Sequence, residues 1–111
     1  MKINDYQQKA LETANNALNM EEQILDCALG LTGESGEVAD LIKKWKFQGH
    51  SLNFEHIAKE LGDVAWYLSV MAWFCGYDLE TILKMNVQKL KNRYPDGFEK
   101  KKSICRKKGD I

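Results

Sequence analysis

The chain has 111 residues, 44% of them hydrophobic and 29% charged, which fits one soluble globular domain with a modest core. Its formal net charge is zero, so no global field argues for a nucleic acid or a membrane surface as partner. The charge is unevenly spread, because residues 99–111 hold six basic and two acidic side chains, and such a basic tail ordinarily reads as a solvated end.

A single proline, Pro95, and the lack of any Val/Ile/Thr-rich alternation predict an all-α chain. Asn4-Asp-Tyr-Gln7 resembles a capping box, and Tyr6, Ala10, Leu11, Ala14 and Leu18 follow at helical spacing. A polar break near Asn19 precedes a second helix, whose apolar positions run from Ile24 to Trp45. The stretch Gln48–Asn53 predicts a loop, with Gly49 as the stop and Ser51 or Asn53 as the next cap. A third helix is expected from about Phe54 to Cys75. Beyond Asp63 it is apolar on nearly every side, so it has to be covered on every side, and in a chain this short that calls for a second subunit. Gly76 ends it, Asp78 can cap a fourth helix from Leu79 to about Arg93, and Tyr94-Pro95 closes that one. Four helices with short connections predict a bundle over residues 1–98, followed by a basic tail, 99–111, whose fold is left open.

Cys27, Cys75 and Cys105 show no C-x-x-C spacing and fit a reducing cytoplasm. The N-terminus has no apolar signal core. The most apolar run, Val64–Gly76, is too short for the ~20 residues that a bilayer requires. Met20, Met71 and Met85 read as core filler and the three tryptophans as packing.

The second and third helices share an unusual detail. Glu34-Ser-Gly-Glu37 and Glu60-Leu-Gly-Asp63 each place two acids at i and i+3 on one helical face, with a glycine in the same slot. Such pairs either decorate a wet surface or converge on a divalent cation, for which four carboxylates offer a hard-oxygen site suited to Mg²⁺. The acidic stripe of the second helix also holds Gly30, Leu41 and Lys44, and that of the third holds His56 and Tyr67. Gly36 and Gly62 lie on the flanks, where a missing Cβ is expected to let a neighbouring backbone approach. On the fourth helix Asn86, Lys89 and Arg93 form a stripe that is either a solvated face or a match for polyphosphate oxygens. His50 and His56 read as surface or cap residues, since hard cations prefer oxygen. A di-iron carboxylate bundle is disfavoured because no Glu-x-x-His pair is present.

GLTGESGEVADLIKKW, KELGDVAWYL and NVQKLKNRYPDGF together resemble the signature blocks of MazG-like nucleoside triphosphate pyrophosphohydrolases, members of the all-α NTP pyrophosphatase superfamily. Their pattern is E-x-x-E, a spacer, then E-x-x-D; here 22 residues separate the two halves. The resemblance implies a four-helix bundle-like MazG-type fold completed by oligomerisation, as a homodimer or homotetramer. It implies Mg²⁺-dependent hydrolysis of a canonical or non-canonical (d)NTP to the monophosphate and pyrophosphate in nucleotide-pool cleaning, with Mn²⁺ as a substitute metal. It makes Glu34, Glu37, Glu60 and Asp63 the metal ligands, with Glu34 or Glu37 accepting the water's proton. Lys89 and Arg93 become phosphate ligands, Asn86 a residue near the nucleotide, and Lys44 a further candidate supported by its place on the stripe. The competing expectation is a catalytically idle helical oligomerisation or nucleotide-binding module of the same fold. No stable nucleic-acid partner and no membrane are expected.

Overall fold

The computed structural model describes all 111 residues, and it contains five helices and no strand: α1 (Ile3–Leu11), α2 (Met20–Gln48), α3 (Phe54–Phe74), α4 (Leu79–Arg93) and α5 (Lys100–Ile104). The all-α class holds. The helix count rises by one because the basic tail, which lacks apolar periodicity, forms the five-residue α5. The chain divides into two compact units, Met1–Leu79 and Glu80–Ile111.

Local chemistry sets most helix ends in the first unit. The Asn19 side chain accepts a hydrogen bond from the Glu22 N–H at 2.9 Å, and Glu22 accepts from the Asn19 N–H at 3.1 Å. This reciprocal box starts α2. Gly49, with φ of 72°, stops it in the left-handed conformation that glycine adopts without a Cβ penalty. Asn53, not Ser51, caps α3 by accepting from the His56 N–H at 3.1 Å. Gly76, with φ of 88°, follows its end.

Helix α1 departs from the expected pattern at both ends. It begins after Lys2, whose N–H donates to Asp5 at 3.3 Å, so the box foreseen at Asn4 and Gln7 does not form. It also stops at Leu11 instead of reaching Leu18. Thr13 donates its hydroxyl to the Ala10 carbonyl at 3.0 Å, and Asn15 accepts from the Ala17 N–H at 3.1 Å. Side chains of this kind divert the backbone from the helical ladder.

Gln7 has another task. Its side chain is fully buried and makes three long-range hydrogen bonds: Nε2 donates to the Ser69 carbonyl at 3.0 Å and to the Tyr77 carbonyl at 3.2 Å, and Oε1 accepts from the Leu79 N–H at 3.0 Å. One amide thus ties α1 to the end of α3 and to the first residue of α4. A second buried amide, Gln23, donates to the Asn15 carbonyl at 2.7 Å and holds the α1–α2 connection.

The core of this unit is small. Ala10, Cys27 and Val70 are buried together, with Tyr6, Leu11, Trp66, Tyr67, Met71 and Phe74 among the residues packed on them. Helix α2 packs along α3 and α1 packs against α3. Trp66 meets Tyr67 edge-to-face at 4.9 Å between centroids and donates its indole N–H to Thr13 at 2.7 Å. Of the methionines expected in the core, only Met71 is there. Met20 and Met85 are exposed, as are Trp45 and Trp73, because they lie on helix faces that the chain does not cover.

In the second unit, α4 from Glu80 onward leads into a turn at Tyr94–Gly97, then α5, then a closing turn at Gly109. Tyr94 packs on Phe98 at 5.3 Å between ring centroids.

Replacing Gln7 by Leu keeps the volume but leaves the buried Leu79 N–H without an acceptor. Stability is expected to fall by roughly 2 kcal/mol or more, read in urea denaturation as a lower midpoint with an unchanged slope.

Candidate metal centre

Helices α2 and α3 run antiparallel, since positions descend on one as they ascend on the other: Cys27 packs with Val70, Gly30 faces Tyr67, and Glu34 lies opposite Asp63 and Glu60. The five-residue loop between the helices imposes this arrangement. At that level of the pair, Glu34, Glu60 and Asp63 each offer a carboxylate oxygen, and all three lie within 4.8 Å of one another. Glu37, the fourth acid of the motif, lies outside this trio and is exposed.

The electrostatics of the trio are strained in one direction. Burial is the largest cause pushing the Glu34 carboxyl up from its ordinary value, and close contact with Glu60 and the charges of Asp63, Glu60 and Glu37 push the same way. An oxygen-only donor set of this kind suits a hard divalent cation. Two oxygens on opposite sides of one Mg²⁺ sit about 4.2 Å apart, so a small side-chain adjustment brings the trio to ligating distance.

His56 is one turn before Glu60, and its Nε2 lies 3.1 Å from the Glu60 carboxylate. The sequence reading assigned it to the surface or to a cap. It is half-exposed, but it also orients one of the trio, and the His-x-x-x-Glu spacing was the available signal. Lys44 is engaged by Asp40 at 2.7 Å, which raises the lysine pKa and lowers that of the acid. With His50 and His56, Lys44 also lines a cavity of about 280 Å³ at the α2–α3 loop.

The glycines need correction. A β-carbon at Gly36 or Gly62 would meet nothing within 4 Å, so neither permits a close backbone approach within the chain. At Gly30 a β-carbon would collide with the Tyr67 ring, so this residue clears space for an aromatic side chain and not for a substrate. Burial, and the nearby carboxylates of Asp26, Glu34 and Asp63 among other charges, push the Tyr67 hydroxyl pKa up.

Asn86, Lys89 and Arg93 lie on α4 in the second unit. Arg93 is held there by Asp110, through Nε to Oδ2 at 2.9 Å and Nη2 to Oδ1 at 2.7 Å.

The family profile described as the MazG nucleotide pyrophosphohydrolase domain matches residues 22–98. The "Gene 37 protein" of Mycobacterium phage L5 is 34% identical over 73 residues, covering 62% of this chain; the match spans 64% of that relative's length. No solved structure matches.

The raised pKa of Glu34 gives a signed expectation. A carboxyl whose folded pKa is raised binds its proton more tightly in the native state, so stability is lost as pH climbs from the ordinary carboxylate value through the raised one. Glu34→Gln is therefore expected to melt higher than the wild type at pH 7 in EDTA, with the difference closing below about pH 4. Mg²⁺ is expected to raise the wild-type Tm at pH 7 and to leave that of the variant unchanged; thermal scans with and without the ion check both statements.

Proposed function

Since the chain belongs to the MazG nucleotide pyrophosphohydrolase domain family, we propose that it hydrolyses a nucleoside triphosphate, a canonical or non-canonical dNTP, to the monophosphate and pyrophosphate in a Mg²⁺-dependent reaction. The observation that carries this reading is the convergence of Glu34, Glu60 and Asp63 from two helices at a spacing fit for one cation. Glu34, Glu60 and Asp63 would hold the metal, with Glu37 as the fourth acid of the motif beside them. When bound, Mg²⁺ neutralises phosphate charge and lowers the pKa of a coordinated water; Mn²⁺ can replace it.

Glu37, exposed on the same face of α2 and outside the trio, accepts the proton of the attacking water. The water oxygen bonds to the α-phosphorus, the bond from that phosphorus to the bridging oxygen breaks, and pyrophosphate leaves with the electron pair. Glu34 remains a ligand, its carboxylate set among those of its neighbours. Lys44 in the first unit, and Asn86, Lys89 and Arg93 in the second, are the proposed substrate-binding residues. Lys44 exchanges Asp40 for phosphate oxygens.

Residues 1–98 are the proposed catalytic domain, with 99–111 appended to it; the family match, which ends at residue 98, supports that boundary. A homodimer or homotetramer is the proposed working form. Its support is the apolar surface that the chain leaves open: Leu29, Phe47 and Phe54 are 76%, 79% and 74% exposed. No helix is long and apolar enough to cross a membrane. Three free cysteines favour a cytoplasmic setting. Nucleotide-pool cleaning is the proposed role.

A panel of NTPs and dNTPs with Mg²⁺ tests the reaction, with monophosphate and pyrophosphate as expected products. Release of inorganic phosphate, or no turnover of any nucleotide, would overturn it. Two variants separate the roles of the acids. Glu37→Gln is expected to lose ~10²–10⁴-fold in kcat while keeping the Mg²⁺-induced rise in Tm. Glu60→Gln is expected to lose both.

A further inference from the structure

The second unit forms a half-open cavity of about 800 Å³ against α4, walled on its other side by the chain from Lys102 onward. Lys89, Arg93, Arg106, Lys107 and Lys108 line it, and the only acidic side chain on its wall is Asp110. The Lys89, Lys107 and Lys108 ammonium groups have no ion-pair partner. Arg106 donates to a backbone carbonyl, that of Ser103 at 3.2 Å. This wall is therefore short of negative charge.

Asp110 meets Arg93 in the geometry by which a guanidinium grips a phosphate, two parallel N–H···O bonds at 2.9 and 2.7 Å. The pair is well shielded, with side chains 10% and 16% exposed. A tight turn delivers the carboxylate: the Asp110 N–H donates to the Lys107 carbonyl at 3.1 Å, and Gly109 between them takes a φ of 88°. The same turn carries Lys107 and Lys108 to the cavity wall.

We propose that this cavity is a polyphosphate-binding site in which Asp110 stands in for a phosphate group on Arg93 and gives way to one, while Arg106, Lys107 and Lys108 add phosphate contacts to those of Lys89 and Arg93. The choice of ligand rests on the reading of Lys89 and Arg93 as phosphate-binding residues; the competition by Asp110 and the participation of the tail go beyond it. Because the chain's own carboxylate occupies Arg93, the apparent affinity for an incoming anion is lowered by the fraction of molecules in which that fork is closed. Neutralising Asp110 removes the competitor, and removing the tail cations weakens the grip.

Calorimetric titration of the full chain with inorganic tripolyphosphate, in EDTA and at fixed ionic strength, tests this without recourse to catalysis. Asp110→Asn is expected to bind about tenfold tighter than the wild type. Lys107→Ala/Lys108→Ala is expected to bind several-fold more weakly, and Arg93→Gln to lose most of the affinity. An Asp110→Asn protein that binds no tighter, with unchanged circular dichroism, would overturn the proposal. So would an Arg93→Gln protein with wild-type affinity, or a wild type that binds sulfate as well as tripolyphosphate. The titration is metal-free, so a failure of the nucleotide assay leaves its outcome intact, and a successful assay does not rescue it.

Discussion

Three carboxylates that repel one another set the terms for the first unit. Glu34, Glu60 and Asp63 lie within 4.8 Å of one another, and the upward push on Glu34 comes first from burial and then from that proximity. A helix pair free to separate would relieve the repulsion by drifting apart. The packing prevents this: Cys27 and Val70 are fully buried together, the Tyr67 ring seats over Gly30, and Gln7 hydrogen-bonds the Ser69 carbonyl of α3 and the Leu79 N–H beyond it. The scaffold holds the acids in place before any ion arrives, which is the arrangement a cation site needs if binding is not to bear the full expense of ordering its ligands.

The basic side chains follow a complementary rule. Lys44 rests on Asp40, and Arg93 rests on Asp110. In each unit a cation suited to phosphate is kept on an acid from its own chain. Such a pairing lowers the tendency of the cation to collect stray anions and makes phosphate compete for it. Acids are crowded together and left short of cations, whereas Lys44 and Arg93 are each supplied with an acid.

Much of this was legible in local sequence. Asn19 with Glu22, Asn53, Gly49 and Gly76 act within three or four residues of themselves, so the limits of α2 and α3 could be read directly. Three of the four acids in the acid-x-Gly-acid repeats, Glu34, Glu60 and Asp63, come together because helical spacing fixes which face they share, and Glu37 stays outside. What escaped was long-range. Gln7 looked like half of a local cap, yet its hydrogen bonds go to residues more than sixty positions away. Gly36 and Gly62 were assigned to close packing, but the space beside them is open, and Gly30, whose absent side chain matters, was legible only once Tyr67 was opposite it. Met20 and Met85 are apolar and exposed, a pattern that depends on what else covers those faces. The tail shows no apolar period, so neither α5 nor the reach of Asp110 back to Arg93 could be anticipated.

The contact between Gly30 and Tyr67 acts as a ruler. One bulky ring and one position without a side chain fit together in the observed axial register of α2 against α3. A slide of the ring by one helical turn toward the start of α2, about 5.4 Å, would set it against Asp26 and Cys27, which carry β-carbons, and take Glu34 out of line with Glu60 and Asp63. The spacing of the charged groups is therefore gauged one turn away, by an uncharged fit of shape. Positions 30 and 67 should accordingly be read as a matched pair of volumes, in which growth at one is tolerable only with loss at the other.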